Sequence, residues 1–414
     1  MINYIYRDVA IIGAGAAGLF AGTETASAGL STLIIDREQY AGGILNQCIH
    51  NGFGVHSFKK ELTGPEFAAE AEILARKAGA ELRLASAVNK ITRQDDGTFQ
   101  LELLSGRYGV SVLECKAVIF ATGCRERNRG NLAIPGNRPA GVWSAGTAQK
   151  LLNCDGLLPG KKVVIVGSGD IGLIMARRLS WCGAEVPAVI EILPRPSGLV
   201  RNIAQCLEDF NIPLLLSHTV TKIAGKDHVE FLECAPLADG KPDLNKVLRF
   251  ECDAVLFSVG LVPSVELLES IGAELDPVTG GAVTDSNGET SIPGIFCAGN
   301  ALHVHDLVDF VAEEAAETGK AVVRKLNGTA SLPQIPCRAG KNLRYVSPHK
   351  FACGEEIHFR FRPVICADKA LLSANDGNGI IQSWKLNFVN PAEMIQIAFT
   401  PENCSELLFE LEEI

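Results

Sequence analysis

The sequence has few basic residues, few aromatic residues and no closely spaced pair of cysteines. Its 414 residues include 38 Lys and Arg against 48 Asp and Glu, so the formal net charge is −10. This acidic balance argues against nucleic acid as a partner. The 13 cysteines form no Cys-x-x-Cys pair, so we expect no bound metal. An odd number of scattered cysteines is typical of reduced thiols, and it predicts a cytoplasmic protein.

One apolar stretch has the hydropathy of a membrane span. Between Val9 and Ile35 the only charged residue is Glu24. The regularly placed glycines inside this stretch instead favour a strand, a turn, a helix and a second strand. No other stretch reaches the length of a transmembrane helix. We therefore expect no membrane span.

Two glycine-rich motifs of the form Gly-x-Gly-x-x-Gly each follow an apolar strand. Their glycines are Gly13, Gly15 and Gly18 in the first motif, and Gly167, Gly169 and Gly172 in the second, where Asp170 follows the middle glycine. In such a motif the glycines allow a tight turn, a close approach of pyrophosphate to the backbone, and close helix–strand packing. Two copies predict that the chain binds two dinucleotides.

An acidic residue ends the second strand of each motif. Asp36 lies 23 residues after Gly13, and Glu191 lies 24 residues after Gly167. An acid at this spacing is suited to accept hydrogen bonds from a ribose. A carboxylate at Glu191 also repels a 2′-phosphate, which favours NADH over NADPH, although the nearby Arg195 would weaken that preference.

The chain is predicted to be an α/β protein with two nested Rossmann-like, three-layer domains and a small C-terminal antiparallel β domain. Residues 1–125 and 262–330 form the first domain, and residues 126–261 form the second. From residue 335 to residue 414 the apolar residues alternate with a period of two, which predicts strands. We interpret this last part as a docking or oligomerisation module, and we expect an oligomer.

The order of the motifs resembles the pyridine nucleotide–disulfide oxidoreductase superfamily, in particular its thioredoxin-reductase-like branch. Besides the two glycine motifs, the resemblance rests on Ala121-Thr122-Gly123 and on Cys297-Ala298-Gly299-Asn300, and it spans residues 8–328. It implies a FAD-dependent pyridine nucleotide oxidoreductase. The residues expected to hold FAD are Gly13, Gly15, Gly18, Asp36, Arg37, Gly42, Gly43, Ala121, Thr122, Gly123, Gly299 and Asn300. Those expected to hold NAD(H) are Gly167, Gly169, Asp170, Gly172 and Glu191.

The sequence departs from this superfamily at its redox cysteines. Where thioredoxin reductases carry two cysteines, this chain reads Val142-Trp143-Ser144-Ala145-Gly146-Thr147, and only Cys48 follows the Gly42-Gly43 loop. No dithiol is therefore expected to relay electrons. Asn300 replaces the usual Asp, but its amide can still hydrogen-bond a ribitol hydroxyl.

Shorter stretches suggest a partner protein. Residues 121–127 and 135–142 are similar to the FAD/NAD subunits of opine- and sarcosine-type dehydrogenases. Residues 42–54 resemble oxidoreductases that are paired with glycerol-3-phosphate dehydrogenase-like flavoproteins. The resemblance implies that the chain moves electrons between NAD(H) and a partner flavin dehydrogenase subunit or another acceptor.

Two alternatives to this electron-transfer role remain open from the sequence. The first is a stand-alone NADH oxidase or peroxidase with Cys48 as the catalytic thiol. The second is a flavin-binding scaffold or redox sensor without significant turnover. The pattern His303, His305 and Asp306 resembles a metal cluster. We interpret it instead as the start of a helix with Asp306 as the N-cap.

Overall fold

The computed structural model describes residues 3–330 and 332–414. The chain forms two compact units. One unit comprises Met1–Cys124 together with Pro263–Ile414, and the other is the continuous segment Arg125–Val262. The first unit is therefore built from two separate parts of the sequence, which agrees with the nested arrangement of its motifs.

The helices and strands before residue 127 are, in chain order, β1 (Asn3–Ile12), α1 (Ala16–Ser27), β2 (Thr32–Ile35), β3 (Asn51–Phe53), β4 (Leu62–Thr63), α2 (Gly64–Ala78), β5 (Glu81–Arg83), β6 (Ala87–Arg93), β7 (Phe99–Ser105), β8 (Gly109–Phe120) and β9 (Cys124–Glu126). A short 3-10 helix spans Gly43–Gln47. Thr63 and Glu66 form a capping box at the start of α2, which fixes where that helix begins.

The following elements are β10 (Val142–Ser144), α3 (Ala145–Asn153), β11 (Val163–Val166), α4 (Asp170–Trp181), β12 (Val189–Ile190), α5 (Val200–Cys206), β13 (Leu214–Leu215), β14 (His218–Ala224), β15 (Phe231–Ala238), β16 (Lys241–Pro242), β17 (Leu248–Glu251), β18 (Ala254–Phe257), β19 (Leu261–Pro263) and α6 (Glu266–Ser270). In the second unit β10, β18, β11, β12 and β13 form a parallel sheet in that order. An antiparallel sheet of β14 to β17 lies in the same unit.

The chain ends with β20 (Ile295–Cys297), α7 (Val308–Leu326), β21 (Gln334–Ala339), β22 (Leu343–Ser347), β23 (Lys350–Ala352), β24 (Ile357–Pro363), β25 (Ala367–Asn375), β26 (Ile380–Val389), β27 (Ile395–Phe399) and β28 (Leu407–Glu413). Strand β20 pairs in parallel with β8 and so completes the central sheet of the first unit, whose other strands run in the order β5, β2, β1, β8, β7 and β6. In the C-terminal halves of the central strands β1 and β8, the residues on both faces are apolar and buried.

The C-terminal strands form a five-stranded sheet, β23-β21-β28-β25-β26, and a three-stranded sheet, β22-β24-β27. Their shared core contains Phe351, Phe359, Phe361 and Phe409, which are fully buried. The predicted fold class is thus confirmed, with one addition: β21 and β28 run parallel, whereas the other paired strands of these two sheets are antiparallel. Among the described residues, no helix is both long enough and apolar enough to cross a lipid bilayer.

Candidate nucleotide-binding sites

The first glycine motif forms a sharp turn between β1 and α1 that only glycine fits. Gly13 has φ of +112°, and a Cβ there would lie 2.2 Å from the carbonyl oxygen of Ala121. At Gly18 a Cβ would lie 1.8 Å from the carbonyl oxygen of Gly13, because α1 crosses close to the turn. In contrast, a Cβ at Gly15 would meet no atom within 4 Å. The middle glycine therefore faces open space.

Asp36 closes this turn from the end of β2. Its Oδ2 accepts a hydrogen bond from the backbone N–H of Ala14 at 2.7 Å, and its Oδ1 accepts one from the N–H of Glu38 at 2.8 Å. The N–H of Gly13 donates to the carbonyl of Ile35 at 2.8 Å. The acid and the glycine motif are thus held together by the backbone.

The Gly42-Gly43 loop packs on the same turn. Gly42 has φ of +107° and donates its N–H to the carbonyl of Ala14 at 2.7 Å. A Cβ at Gly43 would lie 3.4 Å from Cα of Gly15. The structure therefore brings these two predicted residues to the glycine motif. Arg37 does not join them, since its side chain is 83% exposed and pairs on the surface with Glu38 at 3.9 Å.

Two further predicted segments end neighbouring strands of the same sheet. The segment Ala121-Thr122-Gly123 follows β8, and Gly299-Asn300 follows shortly after β20. The N–H of Ala121 donates to the carbonyl of Ile12 at 2.9 Å, and the hydroxyl of Thr122 donates to the carbonyl of Ser264 at 2.6 Å. Because parallel strands end at one edge of the sheet, the predicted FAD residues other than Arg37 gather there.

The residues of this edge fit a dinucleotide. Helix α1 starts after Gly15, and no side chain caps its N-terminus. Its first backbone N–H groups, which lie at the positive end of the helix dipole, are therefore available to a phosphate. The open space at Gly15 lets a phosphate approach the backbone. The donor set is thus the one that a pyrophosphate needs.

A buried carboxylate, which sequence reasoning missed, supports the Gly299-Asn300 segment. Glu314 of α7 accepts a hydrogen bond from the N–H of Gly299 at 2.7 Å. Its other oxygen lies 3.0 Å from Nε2 of His303 and 3.3 Å from Nε2 of His305. Asn300 is held in turn, because its Oδ1 accepts the N–H of His305 at 3.0 Å. An acid at an inward position of an alanine-rich helix is the signal that could have identified Glu314.

The protonation of this cluster follows from its burial and from the charges of its members. Burial lowers the pKa of His303 to about 4, and the adjacent His305 contributes to the same decrease. Burial by itself raises the pKa of Glu314, but His305 and His303 beside it hold that pKa well below its usual range. Arg360 of β24 adds a guanidinium 3.6 Å from Glu314. The carboxylate is therefore ionised, with hydrogen bonds from the N–H of Gly299 and from Nε2 of His303 and with the positive charge of Arg360 nearby.

The structure regroups the pattern that resembled a metal cluster. The groups that come within 4.8 Å of one another are His303, His305 and Glu314, not Asp306. Arg360 beside Glu314 already supplies a positive charge, which disfavours a cation there. The expectation of no bound metal stays a prediction.

The interpretation of Asp306 as a helix cap is wrong. The N-cap of α7 is Leu307, which makes no side-chain cap. Asp306 instead pairs with Arg362 of β24 at 2.7 Å. Asp309, in the first turn of α7, accepts backbone hydrogen bonds from Gly54 and Ser57 at 3.1 and 2.7 Å. Acids near the start of α7 thus hold neighbouring segments in place.

Cys48 lies at the end of the short helix Gly43–Gln47. Its thiol is partly buried, and Sγ lies 3.4 Å from the carbonyl oxygen of Ile44. The carbonyl of Cys48 accepts the N–H of Gly64 at 2.8 Å. Its predicted catalytic role is not tested by this placement.

The second glycine motif makes the same turn in the other unit. Gly167 has φ of +92°, and a Cβ there would lie 2.1 Å from the carbonyl oxygen of Ser258. Helix α4 starts after Gly169 without a side-chain cap at that residue. Unlike Gly15, Gly169 is not fully open, since a Cβ there would lie 3.1 Å from Oγ of Ser258. Asp170 accepts hydrogen bonds from Leu199 and Asn202 and so fixes the next loop.

Glu191 is buried beside this second turn. Only 4% of the residue is exposed. Its Oε2 accepts the N–H of Ser168 at 2.9 Å and the hydroxyl of Ser197 at 3.0 Å, and its Oε1 accepts the N–H of Leu193 at 2.9 Å. Glu191 thus accepts a backbone N–H of its glycine turn as Asp36 does from Ala14, and it also accepts the hydroxyl of Ser197 in the following loop. A ribose would have to share or displace the contact with Ser197.

A family model described as pyridine nucleotide-disulphide oxidoreductase matches residues 7–319. The chain belongs to this family. This confirms the resemblance seen in the sequence and the assignment of the chain as a FAD-dependent pyridine nucleotide oxidoreductase. Membership implies that FAD and a pyridine nucleotide are the cofactors.

Among known proteins, the chain is 29% identical to a NADH dehydrogenase of Bacillus subtilis over 71% of this chain and 53% of the relative. It is 26% identical to an opine oxidase subunit of Agrobacterium tumefaciens over 72% of this chain and 62% of the relative. The crystal structure of T. acidophilum thioredoxin reductase superposes with a TM-score of 0.65 at 25% identity, covering 78% of this chain and 99% of that structure. The chain spans about half the length of the first of these relatives.

Proposed function

We propose that the chain moves electrons between NAD(H) and a partner protein or small acceptor through FAD, without a dithiol at the two positions that the family uses. The observation that carries the proposal is the repeated turn. Ala14 donates its N–H to Asp36 at 2.7 Å, and Ser168 donates its N–H to Glu191 at 2.9 Å. Two such turns suit two dinucleotides.

In the first unit the proposed FAD residues divide the work. The backbone from Gly13 to Gly18 and the start of α1 would bind the pyrophosphate, and Asp36 would accept a ribose hydroxyl. Asn300 would hydrogen-bond the ribitol while His305 fixes its amide. Bound FAD supplies two-electron chemistry with a nicotinamide and one- or two-electron chemistry with an acceptor.

In the second unit the proposed NAD(H) residues are Gly167, Gly169, Asp170, Gly172 and Glu191. We propose NADH rather than NADPH, because the buried negative charge of Glu191 would repel the 2′-phosphate of NADPH. Asp170 positions the loop through Leu199 and Asn202, so its contribution to binding is indirect.

A partner flavin dehydrogenase subunit, of the amine or glycerol-3-phosphate type, is the proposed source or acceptor of electrons. One similar protein is named as a subunit of an opine oxidase, which supports a multi-subunit arrangement. The C-terminal β domain is the proposed docking or oligomerisation surface. The odd number of scattered cysteines in the sequence supports the proposed cytoplasmic location.

The test is an anaerobic titration of the purified yellow protein with NADH and, separately, with NADPH. The absorbance of the flavin reports its reduction. We expect NADH to bleach the flavin at lower concentration than NADPH does. A flavin that stays oxidised with both nucleotides would refute transfer between the two sites in the isolated chain, and equal bleaching by both would refute the preference for NADH.

A further inference from the structure

The C-terminal β domain brings together two cysteines that are 51 positions apart. Sγ of Cys353 lies 3.4 Å from Sγ of Cys404, and it also lies 3.6 Å from the carbonyl oxygen of Cys404. Both are free thiols. Neither belongs to the nucleotide motifs, so the flavin reaction proposed above does not use them.

The backbone sets the distance between these two thiols. Cys353 directly follows β23 and Cys404 lies just before β28, and both strands pair with β21, which lies between them in the sheet. The N–H of Gly354 donates to the carbonyl of Pro401 at 2.9 Å, which joins the two connecting segments. The pair is therefore held by the sheet and by a cross-segment hydrogen bond.

The two thiols differ in their surroundings. Cys404 is buried, with 9% of the residue exposed, whereas Cys353 is partly exposed. Burial, together with the adjacent Cys353, raises the pKa of Cys404 to about 12. A dissolved oxidant therefore meets Cys353 first, and Cys404 is the neighbour placed to react with the product.

We propose that Cys353 and Cys404 are a reversible disulfide site that closes when hydrogen peroxide oxidises the pair. The thiol of Cys353 releases its proton and its sulfur attacks one peroxide oxygen to form a sulfenic acid, while the other oxygen leaves as hydroxide and takes up that proton to become water. The sulfur of Cys404 then attacks the sulfur of Cys353, and the hydroxyl leaves with the thiol proton as a second water. The two sulfurs lose two electrons, which reduce one peroxide to two waters. A dithiol reductant reopens the bond by exchange.

The experiment is a peptide map of the full chain after treatment with hydrogen peroxide. Remaining thiols are blocked with iodoacetamide, the protein is digested without reductant, and peptides are identified by mass spectrometry. We expect a cross-linked peptide that joins Cys353 to Cys404, loss of both free thiols, and recovery of both after treatment with dithiothreitol. The matched control is Cys366→Ser, which removes an exposed cysteine of the same domain and should leave the cross-link unchanged.

A second variant tests the assigned order of events. In Cys404→Ser the sulfenic acid of Cys353 has no neighbouring thiol, so labelling of Cys353 by dimedone should rise several-fold over the wild type. The proposal would be overturned if iodoacetamide still alkylates both Cys353 and Cys404 in the peroxide-treated wild type, because both thiols would then have stayed reduced. It would also be overturned if Cys353 is linked to a different cysteine. The wild-type map decides this even if the serine variant is unstable.

Discussion

Arg362 of β24 forms a salt bridge with Asp306, which lies just before α7. Nη2 of Arg362 donates to Oδ1 of Asp306 at 2.7 Å, and Nη1 donates to Oδ2 at 3.1 Å. The side chains are 13% and 18% exposed. The N–H of Met394 adds a third hydrogen bond to the same carboxylate at 2.6 Å. The entry to α7 is thus joined to the β domain by charge-assisted hydrogen bonds.

Replacing Arg362 should destabilise the first unit strongly. Arg362→Ala leaves Asp306 as a largely buried carboxylate without its counter-charge, and we expect a loss of about 3 kcal/mol in the free energy of unfolding. Urea denaturation followed by circular dichroism measures this loss. Arg344→Ala, which removes an exposed arginine of the same domain, is the control. Equal losses in the two variants would mean that the pair contributes little.

Replacing Asp36 should weaken FAD binding. Asp36→Ala removes both the proposed ribose acceptor and the acceptor for the N–H of Ala14, so we expect the dissociation constant for FAD to rise tenfold or more, which corresponds to about 1.4 kcal/mol. Reconstitution of the stripped protein with FAD, followed by flavin fluorescence, measures the constant. Asp95→Asn, on an exposed turn, should bind as the wild type does. An unchanged constant in Asp36→Ala would remove this residue from the proposed site.

Replacing Glu191 should reduce the proposed preference for NADH. Glu191→Gln removes the negative charge that we propose lies near the 2′ position of the nucleotide, so the ratio of NADH to NADPH affinity should fall about tenfold. Stopped-flow measurement of flavin reduction at several concentrations of each nucleotide gives the ratio. The control Glu185→Gln changes a carboxylate that is 61% exposed and paired with Lys162. A ratio that moves equally in both variants would argue against a direct role for Glu191.

Acid should destabilise the protein through His303. Because the pKa of His303 is lowered to about 4 in the folded protein, and is about 6.5 when unfolded, protonation favours the unfolded chain. The stabilising contribution is present above about pH 6.5 and is lost as the pH falls toward about 4. Between about pH 7 and about pH 5 this loss is about 2 kcal/mol.

Urea denaturation at those two pH values, on wild type and His303→Gln, isolates this contribution from the other groups that titrate in the same range. The variant should show the smaller decrease in stability. His228→Gln, at an exposed position, should keep the wild-type decrease. If His303→Gln also keeps it, the pH dependence arises elsewhere.

The fold and the glycine turns were predictable because their signals are local. A tight turn requires glycine within a few residues of an apolar strand, and the acid that bonds to it lies at a nearly fixed spacing. Asp36 and Glu191 were found in this way, and each bonds back to its own turn. The order of the motifs then indicated the family, and the family implied the cofactors.

Contacts between distant parts of the sequence were not predictable. Asp is a residue type that often caps helices, but the carboxylate of Asp306 instead binds Arg362, which lies 56 positions later. In the sequence Glu314 is one of several acids on α7, and its burial depends on contacts with His303 and with Arg360 of β24. Cys353 and Cys404 are likewise 51 positions apart in the sequence, and only the sheet brings their sulfurs together.

The contact of Arg360 with Glu314 has a consequence for protein engineering. Glu314 supports Gly299 from one side, and the guanidinium of Arg360 reaches it from the β domain at 3.6 Å. A fragment that stops before Pro333 would keep the carboxylate and lose its counter-charge. We therefore expect removal of the C-terminal strands to destabilise the segment around Gly299, and we expect a chimera with a different terminal module to need a positive charge at the position of Arg360.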